Sequence, residues 1–319
     1  MLPRNILDQQ SSNRINTILV MALFVAFAGC LGMGLDFFIL GFGEGGIALP
    51  FGTLIAVAIG SAGALWSLEQ GATTVLSSSC AHPVPDNDPR YQQVRNILDE
   101  MSIASGLPRP QLYIIPDPDP NAFATGKDPE HACIAVTEGL IDRLNREELQ
   151  SVVAHEMSHV RNYDTRTMTV VAALIGAVML LSEFGLRSWS FGGGRRKSNR
   201  GSGAGGAFVF VLWLLAMILA PFVAQILALA ISRQREYLAD ASGAEMTRNP
   251  LALASALEKI DGASDPTRLI KKGTAHLCIA DPLGRQVNVR DGLVAGLFAT
   301  HPPITKRIAL LKAMAYQHA

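Results

Sequence analysis

Four uncharged or nearly uncharged stretches set the pattern of the chain. Ile18 to Leu35 and Gly45 to Leu68 carry no charge, Thr167 to Leu186 carries Glu183 near its end, and Ala207 to Ile231 is uncharged and contains Pro221. At about 1.5 Å rise per residue, each is long enough to cross or nearly cross a hydrocarbon layer of about 30 Å. The first two are expected as transmembrane helices and the last two as membrane-inserted, with a kink at Pro221. Phe27-Ala28-Gly29-Cys30 loosely resembles a lipoprotein cleavage site, but Phe27 stands where an aliphatic residue belongs, so the first stretch is expected to be an uncleaved anchor.

Basic residues give the expected orientation. Arg4 and Arg14 precede the first stretch, whereas the loop from Asp36 to Glu44 has two acids and no base. The positive-inside rule then puts the amino terminus and the segment after Leu68 on the cytoplasmic side. The linker between the third and fourth stretches, rich in Gly, Ser and Arg over Ser190–Gly206, conflicts with two further full crossings, since Arg187, Arg195, Arg196, Lys197 and Arg200 would fall outside. Either the last pair is a hairpin that does not cross completely, or that region breaks the charge bias.

Between Ser77 and Tyr163 the pattern becomes that of a mixed α+β segment. Asp88-Pro89 is a cap-and-proline start for a helix that buries Val94, Ile97, Leu98 and Met101 and stops at Gly106. Short strands are expected at Gln111–Ile115, Asn121–Thr125 and Ala132–Val136. A last helix, Pro303–Ala315, carries an apolar stripe of Ile304, Ile308 and Leu311.

Composition supports a membrane protein. Of 319 residues only 17% are charged, against about 25% in soluble domains, and the mean hydropathy is +0.25. The 27 basic and 27 acidic residues cancel, so no surface for nucleic acid is expected. Four scattered cysteines, with no CxxC pair, read as isolated reduced thiols.

The candidate chemistry lies in His155-Glu156-Met157-Ser158-His159. Residues four apart share a helix face, so His155 and His159 would aim their imidazoles at one point. Two neutral imidazoles and a further ligand suit zinc, and Glu156 would stand beside the ion as a general base. Asn145 and Glu148 form a capping box for this helix, whose Leu149, Val152, Val153, Met157 and Val160 give it a burying face. Downstream, Glu236 and Asp240 are again four apart, which suits Glu236 as third ligand with Asp240 behind it on His155. Spacing alone equally allows a solvated helical face carrying Arg233 and Arg235.

Together, HEMSH, the apolar pair, SRQREYLADASGA and ATHPPITKRI resemble the HtpX family of membrane-bound zinc metalloproteases, bacterial relatives of the CAAX prenyl proteases, over nearly the whole chain. The resemblance implies one Zn2+ per chain on His155, His159 and Glu236, Glu156 as base, and Asp240 in support. It further implies that the backbone of Asn121, Ala122, Phe123 and Ala124 pairs with substrate, that His301 donates to the oxyanion, and that Arg307 assists it by ion pairing. The fold implied is an integral membrane α+β protein: a zincin-like metalloprotease domain with its HExxH helix, a short edge-stranded sheet and up to four transmembrane helices. Its expected parts are an anchor at 1–68, the first protease segment at 69–166, a hydrophobic helix pair at 167–231 and the second protease segment at 232–319. The implied protein is a multi-pass endopeptidase of the bacterial inner membrane whose active site faces the cytoplasm, cutting membrane or misfolded proteins in quality control and stress response. A silent zinc scaffold would replace the base with a fourth protein ligand, and a transporter would need polar groups within the spans; neither fits these residues.

Overall fold

The computed structural model describes residues 6–40, 50–85, 87–177, 233–263, 267–270, 274–280 and 302–317. Two long helices open the chain, α1 (Ile6–Leu40) and α2 (Phe51–Ser78), packed against each other. Both hold a segment long and apolar enough to cross a membrane, Gln10–Cys30 and Phe51–Ser78. Large apolar side chains stand exposed along them, among them Ile18, Leu19, Ile55, Ile59, Leu65 and Trp66. The second helix starts after Pro50 rather than within the apolar stretch at Gly45, because proline supplies no amide for a helix interior and sits here as the N-cap. It then continues past Leu68 to Ser78. Asp36 links the two helices, accepting from the Gly52 and Thr53 amides and the Thr53 hydroxyl, each at 2.6 Å, and so satisfying free donors in the first turn of α2.

A four-stranded sheet follows, in the order β1-β2-β4-β3, formed by β1 (His82–Pro83), β2 (Gln111–Ile115), β3 (Ala122–Thr125) and β4 (Cys133–Thr137). β2 and β4 run parallel, whereas β1 and β3 lie antiparallel at the two edges. The two-residue β1 carries no alternation and was not expected. β3 and β4 begin one residue later than the sequence pattern indicates. Asp88 caps the single tight turn Pro89–Tyr91 rather than the helix itself; α3 (Gln92–Ser105) begins behind it and ends at Gly106, whose φ of 70° suits a residue without a Cβ.

Both faces of the sheet are covered, which is why its strands read as apolar runs. Leu112, Ile114, Ala122, Ala124, Ile134 and Val136 face a core shared with α3, the short α4 (Glu138–Arg143) and α5 (Arg146–Arg161). Ile115, Phe123 and Ala135 face a second core containing Val75 and Leu76 from the end of α2 and Met168, Val171 and Leu174 from α6, described over 164–177. The opening of the third apolar stretch is therefore packed inside the protein. The rest of that stretch, the arginine-rich linker and the fourth stretch lie outside the described residues. After them come α7 (Arg233–Thr247), α8 (Pro250–Asp261) and α9 (Ile304–Gln317). Leu311 of α9 is buried, with Ile304 and Ile308 packed beside it in the first core. All four cysteines are free thiols.

Candidate metal centre

Helix α5 is fixed at its start by the reciprocal cap: Asn145 Oδ1 accepts from the Glu148 amide and Glu148 Oε2 from the Asn145 amide, both at 2.9 Å. From there to Val160 almost every side chain is buried, including His155, Glu156 and His159. Helix α7 lies directly against it. A Cβ on Gly243 would meet His155 N at 3.0 Å and its Cα at 3.1 Å, so only glycine lets the two backbones approach this closely. Glu236, Asp240 and Gly243 recur at i, i+4 and i+7 and thus share the face of α7 turned to α5.

The two imidazoles are oriented from behind. His155 Nδ1 lies 3.0 Å from Asp240 Oδ1 and His159 Nδ1 lies 3.1 Å from Asp164 Oδ2. A carboxylate near each Nδ1 favours a ring proton on that side and turns each Nε2 toward the shared point. Those Nε2 atoms are 3.3 Å apart, and Glu236 completes a triangle with Oε1 3.6 Å from His159 Nε2 and Oε2 3.8 Å from His155 Nε2. Tetrahedral zinc with bonds of 2.0–2.1 Å separates its ligand atoms by roughly 3.3 Å, so three donors of the right kind already stand near the required spacing. Charge agrees with this fit. Among the described residues, the buried carboxylates Glu156, Asp164, Glu236 and Asp240 face only two buried guanidiniums, Arg235 and Arg307, an excess of negative charge that a divalent cation would offset.

Glu156, next to His155, accepts no hydrogen bond at either oxygen among the described residues. Burial pushes its carboxyl above the usual range, while the imidazoles of His155 and His159 act in the opposite sense. For His159, burial works against the charged ring, but Asp164, Glu236 and Glu156 outweigh it and push the metal-free pKa up to about 9.

Arg307, at the start of α9, is buried and binds Asp240 through two hydrogen bonds, Nε to Oδ2 at 2.8 Å and Nη2 to Oδ1 at 2.7 Å. Its Nη1 donates to Ile279 O at 2.6 Å and lies 3.4 Å from Glu236 Oε2. Burial opposes that charge, yet Asp240 and the other acids hold the guanidinium firmly protonated, and Arg307 in turn keeps Asp240 below the ordinary carboxylate range despite its burial. The observed partners of Arg307 are thus Asp240 and Glu236. His301, its expected partner, lies outside the described residues.

The expected substrate strand is an edge strand, but not a bare one. Ala122 O accepts from Ile279 N at 2.9 Å and Asn121 Nδ2 donates to Ala280 O at 3.0 Å, so residues 279–280 lie along its beginning. Its far end is closed by Thr169 of α6, which accepts from the Gly126 amide at 3.1 Å and bonds the Thr125 hydroxyl at 2.8 Å. Phe123 exchanges its pairing with Ala135 of β4. The backbone of Ala124 lies between these closures and next to Glu156.

Asp164 and Arg235 were missed in the sequence. Asp164 lies just past the end of α5, across a turn in which Tyr163 takes φ 58°; a second carboxylate five residues after His159 was the available signal. Arg235, for which the spacing also allowed a solvated face, is buried with Nε 3.5 Å from Asp164 Oδ1.

A buried carboxyl beside two converging imidazoles and a further carboxylate, next to an edge strand, suits a metal-dependent peptidase. Residues 88–315 match the model of peptidase family M48, and the chain belongs to that family. It is 41% identical over 307 residues to a protein named protease HtpX homolog from Ligilactobacillus salivarius, covering 96% of this chain and 99% of the relative. A protein of the same name from Caldanaerobacter subterraneus subsp. tengcongensis is 42% identical over 317 residues, 98% of this chain and 99% of its own. A third, from Thermoanaerobacter pseudethanolicus, is 47% identical over 248 residues, 77% and 79% of the two chains. The chain is accordingly a metalloprotease acting on protein or peptide substrates.

Proposed function

We propose that this protein is a zinc endopeptidase of the bacterial inner membrane that cuts membrane or misfolded proteins on the cytoplasmic side, in membrane protein quality control and the stress response. The observation that carries the zinc assignment is the 3.3 Å approach of the His155 and His159 Nε2 atoms with Glu236 beside both. His155, His159 and Glu236 hold one ion, and Asp240 and Asp164 fix the two rings. When bound, zinc supplies Lewis acidity, polarising the scissile carbonyl and making water a better nucleophile.

The chain's own residues do the rest. Ala124 offers backbone groups to an extended peptide, which suits a protease of broad sequence tolerance because backbone pairing ignores side-chain identity. Ala122 extends that edge once the 279–280 segment yields its place, while the backbones of Asn121 and Phe123 pair with β4 and hold the strand in the sheet. Glu156 takes the proton of the attacking water and passes it to the leaving amine, and its raised pKa suits a group that must do both near neutral pH. His301 donates to the oxyanion.

Membrane placement is supported by the exposed apolar faces of α1 and α2, too extensive for a water-facing surface. The amino-terminal end of α1 and the carboxy-terminal end of α2 both pack on the protease domain, through the Gln10–Arg161 contact and through Val75 and Leu76. Taken with the basic residues Arg4 and Arg14 of the sequence before the first span, this packing supports a cytoplasmic protease domain under the positive-inside rule. The test is cleavage of an unfolded model protein by detergent-purified enzyme, wild type beside Glu156→Gln, each with zinc and with chelator. Cleavage that needs both zinc and Glu156 is expected; cleavage by a chelated enzyme or by Glu156→Gln would overturn the assignment.

A further inference from the structure

Helix α1 does more than adjoin the protease domain. Residues 10, 13, 14 and 17 recur at i, i+3, i+4 and i+7 and so form one face, and each touches the junction of α5 and α6 between residues 161 and 167. Gln10 Nε2 donates to Arg161 O at 3.0 Å. Asn13 Nδ2 donates to Asn162 O at 2.8 Å and to Asp164 Oδ1 at 2.7 Å. Arg14 lies over the Tyr163 ring at 5.6 Å, and the Thr17 and Thr167 hydroxyls meet at 2.9 Å. Asn13 is 2% exposed and Asp164 fully buried.

The turn they grip is strained. Tyr163 holds φ 58°, a conformation that disfavours any residue with a Cβ and persists only where surrounding contacts over-determine it. Immediately after it comes Asp164, whose other oxygen accepts from His159 Nδ1. Asn13 binds the carbonyl on one side of Tyr163 and the carboxylate on the other, so it fixes both ends of the strained residue.

We propose that Asn13 is a positioning residue of the metal centre, acting through Asp164 on His159, and that the first membrane helix is thereby a structural part of the zinc site as well as an anchor. The inference rests on the zinc reading above. Without Asn13, the turn relaxes, Asp164 turns from His159, and a zinc ligand loses its orientation.

The test is zinc affinity of the full-length protein in detergent, by competition with a chromophoric chelator, together with the visible spectrum of the cobalt-substituted form. Asn13→Ala is compared with wild type and with Gln10→Ala, which removes a contact of the same face without touching Asp164. Expected are a loss of about tenfold in zinc affinity for Asn13→Ala, as for other residues behind metal ligands, a changed cobalt spectrum, and near wild-type values for Gln10→Ala. Asn13→Ser, which keeps a donor on a shorter side chain, should fall between them and serves if Asn13→Ala does not fold. Tight zinc binding by wild type with equal affinity in the Asn13 variants overturns the inference and leaves the zinc reading intact, as does an equal loss in Gln10→Ala. A folded wild type that binds no zinc overturns both.

Discussion

Arg307 and Asp240 face each other through two hydrogen bonds of 2.8 and 2.7 Å, and the oxygen that accepts from Nη2 is the one that lies 3.0 Å from His155 Nδ1. The guanidinium therefore sets the orientation of the carboxylate that sets the orientation of the imidazole. It also lies 3.4 Å from Glu236. One cation thus serves two acids on α7 and reaches the candidate metal centre from a helix far along the chain.

Replacing Arg307 by methionine would leave Asp240 and Glu236 buried with their counter-charge gone. Removing one partner of a buried pair costs about 3–5 kcal/mol. Arg307→Met should therefore unfold at clearly lower denaturant concentration than wild type. Arg307→Lys should recover only part of the loss, since an ammonium cannot make the two-pronged contact. Denaturant titration of the three proteins in detergent checks this.

Glu236→Ala should bind zinc far more weakly while keeping its fold, because it removes one of three donors. Glu156→Gln should bind zinc as wild type does and lose peptidase activity, because Glu156 is assigned to the proton and not to the ion. Metal stoichiometry after dialysis against a weak chelator separates the two. Unchanged zinc binding in Glu236→Ala would place the third ligand elsewhere.

Close approach of α5 and α7 depends on Gly243. A methyl group there would press on the backbone of His155, which cannot swing aside as a side chain could. Gly243→Ala should cost about 1–3 kcal/mol and weaken zinc binding, since pushing the helices apart moves Glu236 from the histidines. Thermal unfolding with and without zinc reads both effects; the stabilisation by added zinc should shrink in the variant.

Glu148 carries a pH-dependent share of stability. Burial alone would raise its pKa, but Lys259, Ser255 and the Asn145 amide hold it below the ordinary glutamate value. A carboxyl with a depressed folded-state pKa contributes fully above its unfolded value and loses that contribution as pH falls through the folded one. Glu148→Gln should thus be less stable than wild type by about 1–2 kcal/mol at pH 7, and the difference should narrow as pH drops below about 4.5. Denaturant midpoints at pH 7 and pH 4 check the sign.

Much of the site could be read in the sequence where the chemistry repeats at helical spacing. His155 and His159, and Glu236 and Asp240, are each one turn apart, and the Asn145–Glu148 box announces its helix. What escaped was chemistry that crosses between elements. Asp164 follows a turn that periodicity does not describe, and Asn13 lies in a polar lead-in to an apolar helix, where nothing local marks it. Spacing left open a solvated place for Arg235, because charge usually means exposure, yet it is buried beside Asp164. The strands were located to within a residue because burial on both faces leaves long apolar runs, while β1, two residues long, has no pattern to read.

The order of the ligands along the chain has a consequence for biosynthesis. His155, Glu156 and His159 emerge from the ribosome well before Glu236, and Arg307 follows only near the carboxy terminus. On the reading proposed above, a growing chain would display the base and two imidazoles without the carboxylate that closes the triangle or the arginine that steadies it. The metal site would then close only once Glu236 has been made, and be braced only once Arg307 follows.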